Sequence, residues 1–257
     1  MSLLTLDADQ RLFYAAHPGD EGRPVLVFLH EGLGSVAQWR DFPEQLCRRT
    51  GCPGLVYDRL GHGGSSPLQR PRTIDYLHDC ALVELPEVIE ALLPGQPFIL
   101  VGHSDGGSIS LIFAATKPPL LLGVVAVAAH VFVEQCSLDG IKKAMAAFAQ
   151  GKLQRGLARL HGEKSEALFK AWADTWTSPW FAAWNIEDLL PSIDVPVLAL
   201  QGRDDQYGTT AQVAAIVGKS GGSATPLLLE DCGHAPHLDF LELTLDLVSC
   251  FVNRISR

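Results

Sequence analysis

The sequence has little of what a membrane protein or a nucleic-acid-binding protein requires. Its longest nearly uninterrupted apolar run, residues 120–129, has ten residues, whereas a membrane-spanning helix needs roughly 20. Positive charge is scarce, because 20 Lys and Arg stand against 29 Asp and Glu, for a formal net charge of −9. A chain of this charge repels phosphate backbones. We therefore predict a protein that neither crosses a membrane nor binds nucleic acid.

Patterns that would hold a metal or a nucleotide are also missing. No GxGxxG or phosphate-loop pattern occurs, and the cysteines form neither CxxC pairs nor a Cys/His cluster with zinc spacing. The six cysteines are Cys47, Cys52, Cys80, Cys136, Cys232 and Cys250. We predict reduced thiols, no metal and no cofactor. Asp7 and Asp9 stand where a secretory signal would carry positive charge, so the expected location is cytoplasmic.

Short apolar runs alternate with segments of helical length along most of the chain. The runs read PVLVFLH, GLVYD, FILVG, LGVVAVAA, VPVLALQG and PLLLED and begin at residues 24, 54, 98, 122, 195 and 226. The helical segments are 39–49, 74–92, 108–117, 209–219 and 238–254. A strand that is apolar on successive residues is buried on both faces. The pattern predicts an α/β fold with a mostly parallel central sheet flanked by helices.

Two stretches depart from this rhythm. Residues 3–16 are expected to form an antiparallel hairpin at the sheet edge. Residues 131–190, called the lid segment below, contain no strand-like run, and we predict helices at 138–150, 153–160, 165–177 and 179–189. We expect a helical cap inserted after the sixth strand, over the sheet edge where open α/β sheets bind ligands. The predicted core domain is then 1–130 together with 191–257.

The strongest chemical signal is the sequence Gly102-His103-Ser104-Asp105-Gly106, which follows one apolar run and precedes a helical segment. A GxSxG pattern in this context predicts a sharp strand-to-helix turn that needs glycine on both sides and exposes the serine hydroxyl. The N-terminus of the following helix presents N–H groups to a developing oxyanion. We predict that Ser104 is a nucleophile and that the Asp105 N–H is an oxyanion donor.

At this point the chain resembles the α/β-hydrolase family, in which nucleophile, acid and histidine follow one another in that order. The loop after VPVLALQ resembles the family's acid loop, and Gly233-His234 resembles its histidine loop. The resemblance implies a triad of Ser104, Asp205 and His234. Asp204 is the alternative acid and His237 the alternative base, while His62, His103 and His130 are expected to be structural.

The loop after the first core strand, His30-Glu31-Gly32-Leu33, resembles the family's oxyanion loop, but its glycine comes one position late. The resemblance implies that Gly32 supplies the second oxyanion N–H, with Leu33 as the alternative. Glu31 is expected to brace the loop, with binding of a cationic substrate group as the alternative. Residues 58–65 are similar to the family's DxxGxGxS turn, in which we expect Asp58 or Arg59 to brace the loop.

Four of the five tryptophans recur at a four-residue step in the lid segment: Trp172, Trp176, Trp180 and Trp184. This spacing places side chains along one helical face, although Ser178-Pro179 must interrupt the helix. One reading is that the rings bury the lid against the core. The other is that some of them line an apolar acyl pocket, and Trp176 and Trp180 are the candidate substrate-binding residues.

These observations predict a serine esterase that acts on a small-molecule acyl substrate through an acyl-enzyme. The elbow and the oxyanion loop are similar to valacyclovir-hydrolase-like and meta-cleavage-product-hydrolase-like members of the family. A thioesterase or a carbon–carbon bond hydrolase of ring-cleavage products is an alternative. A lyase that uses the same triad, or a ligand receptor without turnover, is the alternative from another class.

Overall fold

A computed structural model describes residues 2–6 and 10–256. Its centre is an eight-stranded sheet of order β1-β2-β4-β3-β5-β6-β7-β8. The strands are β1 (Ser2–Thr5), β2 (Arg11–His17), β3 (Val25–Leu29), β4 (Gly54–Tyr57), β5 (Phe98–His103), β6 (Leu121–Val127), β7 (Val197–Gly202) and β8 (Ala224–Leu229). Strands β3 to β8 pair in parallel, whereas β1 pairs antiparallel with β2, and β2 with β4. The edge hairpin predicted for 3–16 is confirmed on both strands, and its residues 7–9 lie outside the described residues.

The helices surround this sheet on both faces. They are α1 (Phe42–Thr50), α2 (Tyr76–Asp79), α3 (Leu85–Leu92), α4 (Asp105–Ala114), α5 (Gln135–Ala149), α6 (Lys152–His161), α7 (Ser165–Thr177), α8 (Thr210–Lys219), α9 (Pro236–Asp239) and α10 (Leu241–Ile255). A π-helical turn, Cys80–Glu84, joins α2 to α3. Within the described residues, no helix is long and apolar enough to cross a membrane.

Burial on both faces of the sheet explains why polar and apolar residues do not alternate along the core strands. In β3, Leu26 and Phe28 point into an apolar cluster with α1 and α10, while Val27 and Leu29 point into a second cluster with α3, α4 and α8. All five residues of β3 are buried. Because β3 to β8 are parallel, their carboxyl ends lie along one edge of the sheet, where the loops after β3, β5, β7 and β8 meet.

The lid segment lies between β6 and β7, and its helices α5, α6 and α7 pack on one another. The expected helix over 179–189 is wrong. Helix α7 ends at Thr177 because Ser178 adopts an extended conformation ahead of Pro179. The chain continues through turns and a short bridge between Phe132 and Asn185. Asn185 accepts a hydrogen bond from the Glu187 N–H, a local bond that competes with helix formation.

Candidate active site

Ser104 lies at the sharp turn between β5 and α4. Its backbone has φ 53° and ψ −117°, a conformation that L-residues rarely adopt and that costs about 1–3 kcal/mol. A Cβ at Gly102 would overlap the carbonyl oxygen of Gly106, and one at Gly106 would overlap that of Leu29. Both glycines are therefore required by close backbone contacts. The turn presses the first residues of α4 against the end of β3.

His234 and Asp205 form a hydrogen-bonded pair at the neighbouring strand ends. Nδ1 of His234 lies 2.9 Å from each carboxylate oxygen of Asp205. Asp205 also accepts hydrogen bonds from the Tyr207 N–H at 2.8 Å and from the Gln201 amide at 3.2 Å. Burial by itself raises the pKa of Asp205, but the hydrogen bond and charge of His234 and the Tyr207 N–H together lower it. The carboxylate is therefore ionised and accepts a hydrogen bond from the Nδ1–H of His234.

Neither the alternative acid nor the alternative base takes part in this hydrogen-bonded pair. Asp204 is exposed, and its N–H donates to the Cys232 carbonyl oxygen. His237 is buried against the rings of Trp39 and Phe42. Burial, followed by the charges of His234 and Arg40, lowers the pKa of His237 to about 3. Asp205 and not Asp204 is thus the carboxylate that contacts His234.

His103 links the histidine loop to the serine turn. Its Nε2 lies 2.7 Å from the His234 carbonyl oxygen, and the two rings are 5.0 Å apart. Burial and the neighbouring histidine charges hold the pKa of His103 well below its usual value. His103 directly precedes Ser104. Its neutral ring donates from Nε2 to the His234 carbonyl oxygen and so anchors the histidine loop next to the serine turn.

The loop after β3 supplies the candidate oxyanion donors. The Leu33 N–H donates to the Glu31 carboxylate at 2.6 Å, and the Gln38 amide donates to its other oxygen at 2.9 Å. Burial raises the pKa of Glu31, and the Leu33 hydrogen bond opposes that shift. Glu31 therefore braces the loop, as the first of its two expected roles states. Because the Leu33 N–H is occupied, Gly32 is the donor candidate that remains.

Ser104 and His234 line one cavity of about 370 Å³ beneath the lid segment. Its apolar wall comes from α5, α6 and α7: Ile141, Ala144, Leu153, Leu157, Trp172 and Trp176. Its polar wall includes Glu31 and Asp105. Among the described residues that line it, none is Lys or Arg. The cavity suits an uncharged, largely apolar group placed next to a serine and a histidine.

The lid tryptophans divide into two kinds. Trp172 and Trp176 line the cavity, and a Cβ at Gly32 would come within 2.7 Å of the Trp172 ring. Trp184 is buried away from it and stacks on Phe181 with centroids 5.5 Å apart. Trp180 is 46% exposed and does not line the cavity. The structure thus does not bring Trp180, expected to contact substrate, to the site.

Two polar residues that the sequence did not single out tie the lid segment to the core. His161 accepts a hydrogen bond at Nδ1 from the Gly63 N–H and donates from Nε2 to the Leu33 carbonyl oxygen, both at 2.9 Å. Lys164 donates to the carbonyl oxygens of His62 at 3.3 Å and Gly63 at 2.8 Å. No signal in the sequence marks them, because their partners are backbone atoms about 100 residues away.

A buried chain of side chains also joins the serine turn to the lid segment. The Tyr76 hydroxyl donates to an Asp105 carboxylate oxygen at 3.1 Å, and the Trp176 indole N–H donates to the Tyr76 hydroxyl at 2.9 Å. Trp176 is thereby held in one orientation in the cavity wall.

Across residues 2–6 and 10–256, no group of three His, Cys, Asp or Glu side chains is arranged to hold a metal ion.

Comparison with known proteins supports the same architecture. The chain is 34% identical over 120 residues to 2-succinyl-6-hydroxy-2,4-cyclohexadiene-1-carboxylate synthase of Salmonella paratyphi C, and this match covers 46% of the chain and 44% of that protein. The same synthase from Salmonella agona is 33% identical over 120 residues, with the same coverage. The chain thus spans less than half the length of the curated relatives that it matches.

Solved structures resemble the whole chain. VinJ is 24% identical, with a TM-score of 0.72 over 99% of this chain and 98% of VinJ. The enol-lactonase from Burkholderia xenovorans LB400 is 19% identical, with a TM-score of 0.73 over 95% of this chain and 97% of the lactonase. Such similarities show a shared fold. The profile described as the alpha/beta hydrolase family matches residues 26–246, and the chain therefore belongs to the α/β-hydrolase family.

Proposed function

We propose that this protein is a serine hydrolase that cleaves an uncharged carboxylic ester through an acyl-enzyme. The observation that carries the proposal is the pairing of His234 with Asp205 at 2.9 Å, in the same cavity as the strained Ser104. A serine hydroxyl is a weak nucleophile at neutral pH, so it needs a base, and the base needs a carboxylate that holds its tautomer and stabilises its cation. Ser104, His234 and Asp205 have the chemistry for these three roles.

In the proposed acylation, Ser104 Oγ attacks the carbonyl carbon while its proton passes to Nε2 of His234. The carbonyl electron pair moves to oxygen, and the resulting oxyanion accepts hydrogen bonds from the Gly32 and Asp105 N–H groups. When the oxyanion collapses, the bond to the alcohol oxygen breaks. His234 gives its proton to that oxygen, so an alcohol leaves and an acyl-Ser104 ester remains.

In the proposed deacylation, a water molecule takes the place of the alcohol. Its proton passes to Nε2 of His234 as its oxygen attacks the acyl carbon. Collapse of the second oxyanion breaks the bond to Ser104 Oγ, which recovers the proton from His234. The products are a carboxylic acid and free enzyme, with one water consumed for each ester cleaved.

The cavity wall supports an uncharged acyl group as the substrate class. The lid helices contribute apolar side chains, and the described residues that line the cavity include no Lys or Arg. The carboxylates of Glu31 and Asp105 also lie in the wall, within a chain of net charge −9. An anionic acyl group would lose its hydration here without a Lys or Arg partner among the described residues that line the cavity.

A second candidate is the reaction of the synthase relatives, which the match over 120 residues favours. The compound in their name carries a carboxylate. A carboxylate is bound most strongly by a cationic donor, and the described residues that line this cavity include no Lys or Arg. We therefore place ester hydrolysis first and this reaction second.

The test is a series of p-nitrophenyl esters of increasing acyl length, with release of p-nitrophenol followed for the wild type, Ser104→Ala and Ser110→Ala. Ser110 is the matched control, because it lies in the same helix and its hydroxyl donates only to the Gly106 carbonyl oxygen among the bonds described. We expect turnover in the wild type and in Ser110→Ala, and none in Ser104→Ala. Turnover that survives in Ser104→Ala would overturn the proposal.

A further inference from the structure

Arg59 is a buried arginine that directs its donors at a backbone loop. Its side chain is 1% exposed, and burial of a charge is costly unless partners compensate. One terminal nitrogen donates to the carbonyl oxygens of Glu31 at 2.9 Å and His30 at 3.2 Å. The same nitrogen lies 3.8 Å from an Asp105 carboxylate oxygen. The guanidinium therefore joins the loop after β3 to the first residue of α4.

The His30 ring holds the same carbonyl group from a second direction. The backbone N–H of Arg59 donates to Nε2 of His30 at 3.1 Å, so the ring proton must be on Nδ1. Nδ1 lies 2.8 Å from the Glu31 carbonyl oxygen and donates to it. Burial, with the charge of Arg59 second, holds the pKa of His30 well below its usual value. The Glu31 carbonyl oxygen thus accepts two hydrogen bonds from a neutral ring and a cation.

Fixing this carbonyl group also fixes the N–H of the next residue. The peptide unit between Glu31 and Gly32 is planar and trans, so its C=O and its N–H point in opposite directions. With the oxygen held toward Arg59, the Gly32 N–H points away from Arg59. Gly32 lines the cavity with Ser104, and a Cβ at Gly32 would lie 3.2 Å from an Asp105 carboxylate oxygen.

We propose that Arg59 is a positioning residue of the oxyanion hole, which holds the Glu31–Gly32 peptide so that the Gly32 N–H faces the reacting carbonyl oxygen. The inference rests on the proposed acyl transfer and adds a residue that does not itself touch the substrate. Arg59 has a second effect at the same place. The buried Asp105 carboxylate would oppose negative charge on a nearby oxyanion, and the guanidinium at 3.8 Å offsets that charge.

The test separates an effect on the oxyanion hole from a loss of structure. In the matching thionoester, sulfur replaces the carbonyl oxygen of the ester and accepts hydrogen bonds from N–H groups less well. The ester-to-thionoester ratio of kcat/KM therefore reports on the N–H donors of the oxyanion hole. We compare the wild type, Arg59→Lys and the double variant Arg59→Met/Asp105→Asn, which removes both buried charges together. Asp105→Asn is the reference for the double variant. The rate of reaction with a fluorophosphonate is a second readout that needs no knowledge of the true ester.

Glu84→Gln is the matched control. Glu84 is a buried carboxyl group whose pKa is raised by burial, a shift that the Leu60 N–H and the charge of Arg59 oppose, and it accepts a hydrogen bond from the Leu60 N–H at 3.0 Å. Among the hydrogen bonds of the described residues, none joins Glu84 to the loop of Glu31. We expect Glu84→Gln to keep the ester-to-thionoester ratio of the wild type. The loss of one oxyanion donor costs about 10²- to 10³-fold in rate, so we expect the ratio to fall at least about tenfold in both Arg59 variants.

The outcomes are distinct. A lowered ratio and slower fluorophosphonate reaction in both Arg59 variants, with native circular dichroism, would support the inference. An unchanged ratio in Arg59→Lys and in the folded double variant would overturn it and leave the proposed function standing. A wild-type protein inert toward both the ester and the fluorophosphonate would overturn the proposed function, and this inference with it.

Discussion

Replacing His237 with phenylalanine should reduce the sensitivity of the fold to acid. The His237 ring lies 4.8 Å from the Trp39 ring and 5.6 Å from the Phe42 ring, so phenylalanine suits its surroundings. Its Nδ1 has no hydrogen-bond partner among the described residues. Burial, with the charges of His234 and Arg40 next, lowers the pKa of His237 from 6.5 to about 3.

The direction in which pH changes the stability of the fold follows from proton uptake by the unfolded chain. Below pH 6.5 the unfolded chain binds a proton at His237 that the folded chain excludes until about pH 3, so acid favours unfolding in this window. The stability that the neutral ring allows is fully present above pH 6.5 and is lost as the pH falls toward 3. At pH 5.5, one unit below the unfolded pKa, the loss is about tenfold in the unfolding equilibrium, or about 1.4 kcal/mol.

The assay is urea unfolding of the wild type and His237→Phe at pH 7.5 and pH 5.5. Between these two values the variant should lose less free energy of unfolding than the wild type, by about 1.4 kcal/mol. Other titrations act on both proteins and cancel in the difference, including that of Glu84, whose pKa burial raises to about 7. An equal loss of stability in the two proteins would refute the reasoning.

Three further changes test the site and the lid segment. Asp205→Asn should lower kcat about 10⁴-fold because it disturbs the tautomer of His234, the proposed base, whereas Asp204→Asn should retain activity; kinetics in which Asp204→Asn is the more damaging would transfer the acid role. Trp172→Ala should move the preferred acyl length of p-nitrophenyl esters upward, whereas Trp180→Ala should not, and equal profiles for the two variants would contradict the cavity assignment. Lys164→Met removes the donor to the carbonyl oxygens of His62, Gly63 and Ser65 and should cost about 1 kcal/mol in urea unfolding, with faster proteolysis of the lid segment; unchanged stability would show that this tie is unimportant.

The core strands and the serine turn could be predicted because their signals are local. Strands buried on both faces appear as continuous apolar runs, and the close backbone contacts at Gly102 and Gly106 exclude every larger residue. The choice between Asp204 and Asp205 is different in kind. Adjacent residues point in different directions, so only the three-dimensional loop decides which carboxylate reaches Nδ1 of His234.

Prediction from the sequence fails where a residue's position depends on partners far away in the chain. The four-residue tryptophan step assumes a continuous helix, but the chain leaves α7 at Ser178, and Trp180 turns to solvent. The link from Trp176 through Tyr76 joins residues 100 positions apart. The role inferred for Arg59 depends on carbonyl groups of a loop 28 residues earlier. None of these contacts has a periodicity or spacing that a single sequence displays.

The most direct test of the central claim is the intact mass of the wild type and of Ser104→Ala after treatment with a fluorophosphonate, followed by peptide mapping. An activated serine reacts with this probe, whereas an ordinary serine does not. If Ser104 is the nucleophile, the wild type acquires one adduct, located at Ser104, and a folded Ser104→Ala variant acquires none. An unlabelled wild type, or an adduct that persists in Ser104→Ala, would contradict the claim that Ser104 is the nucleophile.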